Sequence, residues 1–246
     1  MNKKYQIKKP EDYYTSGEYF NSHKDSCSDI KIDLVIPFLK KNKIDVKQNT
    51  KIIEVGCGSG EFLMPLTKFL ESKNIQYKIK GYDISKPAID MANKKNKYKN
   101  LMFYVGSVKN IKEKTDLIFC MDVIEHVENP FEFLRSLNGK SKYIVLHLPI
   151  EHSIGHLLLE KTQKSNETFK HIHFFSLQTA LILIKELPFE ILDYQFTAAS
   201  MAAIKIKGNI FIRFLRVIRF FMYKISSKFS SIMGGGSVLF LLKNKK

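Results

Sequence analysis

The chain has 246 residues, 44% of them apolar and 26% charged, with a formal net charge of +16. That length builds one large domain with a sizeable core, and no run of about 18 uninterrupted apolar residues marks a membrane span. Cys27, Cys57 and Cys120 are widely spaced and form no C-x-x-C pair, which argues against a disulfide framework or a structural zinc site and for a reducing cytoplasm.

The opening residues, MNKKYQIKKPEDYY, lack the apolar stretch of a secretory signal. Residues 1–48 read as a helical leader. SDIKIDLVIPFLKKN is its helix, with Pro37 a candidate kink. Tyr13, Tyr14, Tyr19, Phe20 and His23 form an aromatic strip suited to packing on neighbouring helices.

From residue 49 the pattern changes. KIIEV (51–55), YKIKGYD (77–83), LMFYVG (101–106), DLIFCMD (116–122) and KYIVLHLP (142–149) read as strands, with helical segments between them. Short, nearly all-apolar runs suit strands buried on both faces of a parallel sheet. The alternation predicts an α/β fold with a doubly wound, mostly parallel, Rossmann-like sheet. SLQTALILIKEL (176–187) is a helix capped by Ser176 and closed by Pro188. FEILDYQF and SVLFLLKN (237–244) add two late strands to the sheet edge, for seven in all. Residues 208–233 between them read as one helical insertion.

EVGCGSG follows the first strand and opens a helix, placing Gly56, Gly58 and Gly60 at alternate positions. Glycine lets a ligand lie on the backbone, and in an open α/β sheet ligands bind at the carboxyl ends of the strands. The spacing is G-x-G-x-G rather than the dinucleotide fingerprint G-x-G-x-x-G, so a pyrophosphate is not the expected ligand. Asp83 ends the second strand, where a carboxylate accepts hydrogen bonds from ribose hydroxyls. The alternative role for Asp83 is a helix N-cap, and for the glycines a plain tight turn.

EVGCGSG, GYDIS and DLIFCMDVIEHVENP, in that order, resemble the class I S-adenosylmethionine-dependent methyltransferases. The subgroup is that of the ubiquinone-biosynthesis O-methyltransferases and their glycan- and lipid-modifying relatives. The resemblance covers roughly residues 50–195 and includes HIHFFSLQTALILIKELPFEIL, with Pro188 where the family usually has glycine. It implies that Glu54, Gly56 and Gly58 meet the methionine moiety and that Asp83 holds the ribose. It places Ile84, Ser107 and Val108 around adenine and Met121 near the sulfonium. It also implies that the leader folds over the cofactor as a lid.

Asp122, Glu125 and His126 stand at i, i+3 and i+4, so a helical segment would put them on one face. The three are read as bracing the helix and the floor of the site, with no metal; the alternative, which the resemblance implies, is a divalent cation there. Methyl transfer to oxygen needs a base, and imidazole has a suitable pKa. His147, His152, His156, His171 and His173 cluster after the cofactor half. His126, His152 and His173 are the candidate bases.

The lysines are scattered along the chain and read mostly as solvated surface, whereas Arg213, Arg216 and Arg219 are grouped. On a helical wheel of residues 210–229 these arginines and Lys224 span an arc of about 140°, with apolar residues elsewhere. A wide apolar face beside a basic one suits an anionic membrane surface. A homodimer contact or a roof over the acceptor pocket is the alternative, and a nucleic-acid track is the weakest fit. The expected function is methyl transfer to an oxygen of a small, saccharide or lipid-linked acceptor; the alternatives are an RNA methyltransferase or a non-catalytic scaffold of the same fold.

Overall fold

The computed structural model describes residues 10–16, 28–159, 161–197 and 210–245. Tyr19, Phe20, His23 and Cys27 lie outside these residues, as do the side chains of Arg213 and Arg216.

Seven strands form one sheet in the order β3-β2-β1-β4-β5-β7-β6. They are β1 (Thr50–Val55), β2 (Tyr77–Asp83), β3 (Leu101–Val105), β4 (Thr115–Met121), β5 (Ser141–Ile150), β6 (Phe189–Thr197) and β7 (Gly236–Asn244). The first five pair in parallel. β7 runs antiparallel to both β5 and β6, as the two late apolar runs predict. In chain order the helices are α1 (Pro10–Thr15), α2 (Ser28–Lys41), α3 (Leu63–Ser72), α4 (Lys86–Lys95) and α5 (Pro130–Ser136). They continue with α6 (Ile154–Leu158), α7 (Lys161–Phe169), α8 (Leu177–Lys185), α9 (Ile210–Ile225) and α10 (Ser227–Gly234).

The sheet buries both faces, which is why its strands lack polar alternation. Ile52, Leu117, Phe119, Val145 and Leu241 point to one side, where Val35, Phe38 and Leu39 of α2 join Leu63, Leu66 and Leu70 of α3. Ile53, Ile118, Cys120, Ile144 and Phe240 point to the other, against Leu134 of α5 and Ala180, Leu183 and Ile184 of α8. Pro37 lies inside α2. At the head of α8, Ser176 Oγ accepts from the Thr179 N–H at 3.2 Å.

The helix expected over 208–233 is two helices. The chain breaks at Ser226, whose Oγ accepts from the Phe229 N–H at 3.2 Å and caps α10. A serine at an N-cap satisfies an orphan donor that a continuous helix would not have, so local capping overrides the apolar periodicity.

Candidate active site

β1 ends at Val55, and the chain turns through Gly56–Gly60 before α3 begins at Leu63. The Gly56 N–H donates to Tyr82 O at 2.8 Å, tying the turn to the end of β2. Gly56 has φ +75° and Gly60 φ +80°. A Cβ on Gly56 would lie 2.5 Å from Val123 Cγ2, and one on Gly60 would lie 2.7 Å from Phe103 Cζ. The two outer glycines therefore serve the protein's own packing as well as any ligand: they let the loop after β4 and the side of β3 close on the turn.

The central glycine works differently. The Gly58 N–H donates to Asp83 Oδ2 at 2.8 Å, and the Ser85 N–H donates to Asp83 Oδ1 at 2.8 Å. Each carboxylate oxygen keeps a lone pair for one further donor, so the pair can take both hydroxyls of a ribose. Burial pushes the Asp83 pKa up, and the two N–H donors work against that shift. The N-cap role falls to Ser85, whose Oγ accepts from the Ala88 N–H.

Glu54, near the end of β1, is 2% exposed, and its Oε2 has no hydrogen-bond partner among the described residues. Burial pushes its pKa well up; Lys31 draws it down, and Asp83 adds to the rise. A buried carboxylate oxygen without a partner is costly, and an ammonium group would satisfy it. Glu54 and Asp83 thus fit the amino-acid end and the sugar of the expected cofactor on chemical grounds.

Of the adenine-side expectations, Ile84 is 41% exposed just beyond Asp83. Ser107 caps a short 3-10 turn, Val108–Asn110: its Oγ accepts from the Lys109 N–H at 3.3 Å, and its N–H donates to Asn110 Oδ1 at 2.8 Å. The Val108 side chain is buried in the core, which leaves main chain as its contribution to a ligand. Met121 is buried at the last position of β4. A cavity of about 340 Å³ beside Lys51, Lys78, Lys80 and Lys99 lies at the opposite, amino ends of the strands, away from all these residues.

The shared helical face expected for Asp122, Glu125 and His126 does not form. Asp122 takes φ +57°, and only Ile124–His126 closes, as a 3-10 turn. The reversal sends Asp122 away from the other two. Its Oδ1 meets His147 Nδ1 at 2.5 Å and its Oδ2 meets Lys31 Nζ at 2.7 Å. Burial alone would raise the Asp122 pKa, but His147 and Lys31 outweigh it and hold the carboxyl well below the usual range. His147 Nε2 lies 3.1 Å from Thr197 Oγ1 on β6, so the group spans from α2 across β5 to β6.

Glu125 and His126 instead meet His171. One ligand atom from each of the three lies within 4.8 Å of the others. Glu125 is fully buried, and neither of its oxygens accepts a hydrogen bond from the described residues. Burial pushes its pKa well up, and the negative charge of Asp122 adds to this. Burial, with the neighbouring His171, holds the His126 pKa down at about 4. The Tyr14 hydroxyl of α1 sits 2.6 Å from His126 Nδ1. His171 Nδ1 lies 2.6 Å from Glu151 Oε2, and Ser165 Oγ donates to Glu151 Oε1 at 2.9 Å. The Ile172 and His173 N–H groups both donate to Glu125 O, locking this segment to the 3-10 turn.

The three histidine candidates end in different places. His126 is inside the cluster, His152 is exposed, and His173 Nε2 donates to Val127 O at 2.9 Å. Lys31 and Glu151 were not singled out by residue pattern, and His171 was named within the histidine cluster but not as a base or ligand. A lysine in a lysine-rich chain gives no signal, and contacts of Glu151 with His171 across 20 residues follow no local period.

A family model described as a methyltransferase domain matches residues 28–193. The chain is 26% identical to the mitochondrial ubiquinone biosynthesis O-methyltransferase of Saccharomyces cerevisiae over 100 residues, 39% of this chain and 31% of that protein. It is 30% identical to the ubiquinone biosynthesis O-methyltransferase of Rickettsia prowazekii over 127 residues, 50% of this chain and 46% of that protein. These matches span less than half the length of either relative. The fold resembles that of magnesium protoporphyrin IX methyltransferase from Synechocystis PCC 6803 with bound SAH. The TM-score is 0.60 at 15% identity, over 96% of this chain and 98% of that one.

Proposed function

The chain belongs to the methyltransferase-domain family, and from that premise we propose that it transfers the methyl group of S-adenosylmethionine to an oxygen of a small, saccharide or lipid-linked acceptor. The observation that carries this reading is the crevice at the ends of β1 and β2. There the Asp83 carboxylate is held by two N–H groups with lone pairs to spare, beside the unpartnered oxygen of Glu54. The likeness to two ubiquinone biosynthesis O-methyltransferases supports oxygen as the acceptor atom.

S-Adenosylmethionine supplies an activated methyl on a sulfonium, which leaves as a neutral thioether when the acceptor oxygen attacks in line. The protein's part is to bind, orient and exclude water. Asp83 holds the sugar, Glu54 faces the ammonium, Ile84 flanks adenine beside the main chain of Ser107 and Val108, and Met121 lies at the reacting end. His126 is the base we assign. It sits in the turn that directly follows β4, and burial keeps it neutral near pH 7. Its low basicity means it takes the hydroxyl proton late, as the C–O bond forms, rather than ionising the acceptor beforehand. His152 is exposed, and His173 lies further along the chain after β5, with Nε2 donating to Val127 O.

Calorimetric titration with S-adenosylhomocysteine tests the assignment. Asp83→Ala should weaken binding about tenfold or more, because it removes charge-assisted hydrogen bonds. An unchanged titration curve would remove the basis of the reading. Labelled methyl groups followed into cell extracts would then identify the acceptor.

A second reading concerns a metal. Glu125, His126 and His171 offer one carboxylate and two imidazoles, a donor set suited to manganese, iron, cobalt or zinc. Asp122, the third ligand that the family resemblance implies, is committed to Lys31 and His147. Cobalt(II) added to the protein should give a visible spectrum that Glu125→Gln or His171→Gln abolishes. A featureless spectrum would leave the three residues as internal packing.

A further inference from the structure

α9 and α10 have an inner and an outer side. On the inner side the Tyr223 hydroxyl donates to Phe196 O at 2.6 Å, and Arg219 Nη2 donates to Gly235 O at 2.6 Å. Arg219 is therefore not part of an outward basic face; it staples α9 to the glycine corner that leads into β7. The outer side carries Phe221, Ile225 and Phe229, with Ile225 at 86% exposure. Val217, Phe221 and Ile225 follow the i, i+4 spacing of a single stripe. α6 packs on α10 so closely that a Cβ on Gly155 would lie 2.9 Å from Met233 O. It adds Leu158, at 78% exposure, and Leu159. This much contiguous exposed apolar side chain marks an interaction surface.

Two observations identify the occupant. From Tyr194 onward the sequence holds no aspartate or glutamate, and Lys224 and Lys228 stand exposed beside the apolar residues. A second copy docked on the same face across a two-fold axis would set these lysines against their own kind. An anionic surface would meet complementary charge along α9 and α10. Among the described residues no helix is long and apolar enough to cross a membrane, so the helices would lie in the headgroup layer.

We propose that the outer face of α6, α9 and α10 docks on an anionic lipid bilayer. Gly236, just after α10, pairs with Ile150 at the carboxyl end of β5, and Met121 ends β4 on the same edge of the sheet. The docked helices thus join the sheet at the same end as the proposed methyl donor. That second consequence, a lipid-linked acceptor reached from the bilayer, rests on the methyl-transfer reading; the docking itself does not.

Co-sedimentation of the full chain with vesicles tests the proposal. Vesicles of phosphatidylcholine containing phosphatidylglycerol should bind about tenfold or more tightly than phosphatidylcholine alone, and salt should weaken the binding. Leu158→Asp with Ile225→Asp should abolish sedimentation, and Lys224→Glu with Lys228→Glu should remove the preference for anionic lipid. All four positions are exposed, so thermal unfolding and S-adenosylhomocysteine titration of the variants should match wild type. That titration also separates failure of the docking from failure of the methyl-transfer reading. No sedimentation with anionic vesicles overturns the proposal. So does a dimer by light scattering that Ile225→Asp dissociates, or RNA binding, where vesicles are not bound.

Discussion

Lys31 Nζ stands 2.7 Å from Asp122 Oδ2, which pins helix α2 to the residue that follows β4. Burial alone would lower the Lys31 pKa, and Asp122 more than reverses that. Lys31→Met leaves Asp122 with His147 as its remaining side-chain partner among the described residues, in a half-buried place. We expect a loss of about 1–3 kcal/mol in urea unfolding, with Lys31→Arg losing less. Equal stability of Lys31→Met and wild type would show that the pair does not hold α2 in place.

Glu54 sets affinity against stability. In the unliganded protein its burial favours the protonated form, and an ammonium at Oε2 would restore the carboxylate. Cofactor uptake should therefore release a proton, and the apparent affinity for S-adenosylhomocysteine should rise with pH over the range in which Glu54 ionises. Glu54→Gln should flatten that dependence, weaken binding about tenfold and leave the unliganded protein at least as stable. Buffers of different ionisation enthalpy would reveal the proton; a heat independent of buffer would rule the exchange out.

Gly56→Ala meets two obstacles, the positive φ and the Val123 side chain 2.5 Å from the new Cβ. The strain should cost about 1–3 kcal/mol and shift the turn that meets the methionine end. Adding Val123→Ala removes the steric part but not the backbone part, so the double variant should recover only some of the melting temperature. Full recovery would mean that φ strain is not a factor at this position.

His126 makes stability depend on pH in a defined window. Its folded pKa, about 4, lies below the ordinary 6.5. Between these values the unfolded chain binds more protons, so stability rises with pH. The contribution is fully present above about 6.5 and is lost as pH falls toward 4, to a limit of about 3 kcal/mol. His126→Gln should unfold with a shallower slope across that window. Parallel slopes for the two proteins would assign the acid sensitivity to other groups.

The glycine turn and Asp83 were legible because each is a local event: a strand, a break in side chains, then an acid at the end of the next strand. The sheet was legible for the same reason, since its buried runs are short and bounded. Asp122 was misread because the i, i+3, i+4 rule presumes an α-helix, and a single left-handed residue turned its side chain toward α2 and β5. Arg219 was read as surface because a helical wheel cannot know where the next strand begins. The pairing of Glu125 with His171 had no sequence signal at all: it depends on two N–H groups of the later segment reaching back to the Glu125 carbonyl.

The placing of β7 has a consequence for synthesis. It is inserted between β5 and β6, both of which leave the ribosome before it. Until it arrives, β6 has no neighbour and β5 shows a bare apolar flank, so docking of the nascent half-sheet must wait for a strand many residues downstream. A stop codon introduced anywhere in α10 would remove one strand but leave two unpaired edges, and such a product should be recovered in inclusion bodies or with chaperones rather than as a folded protein.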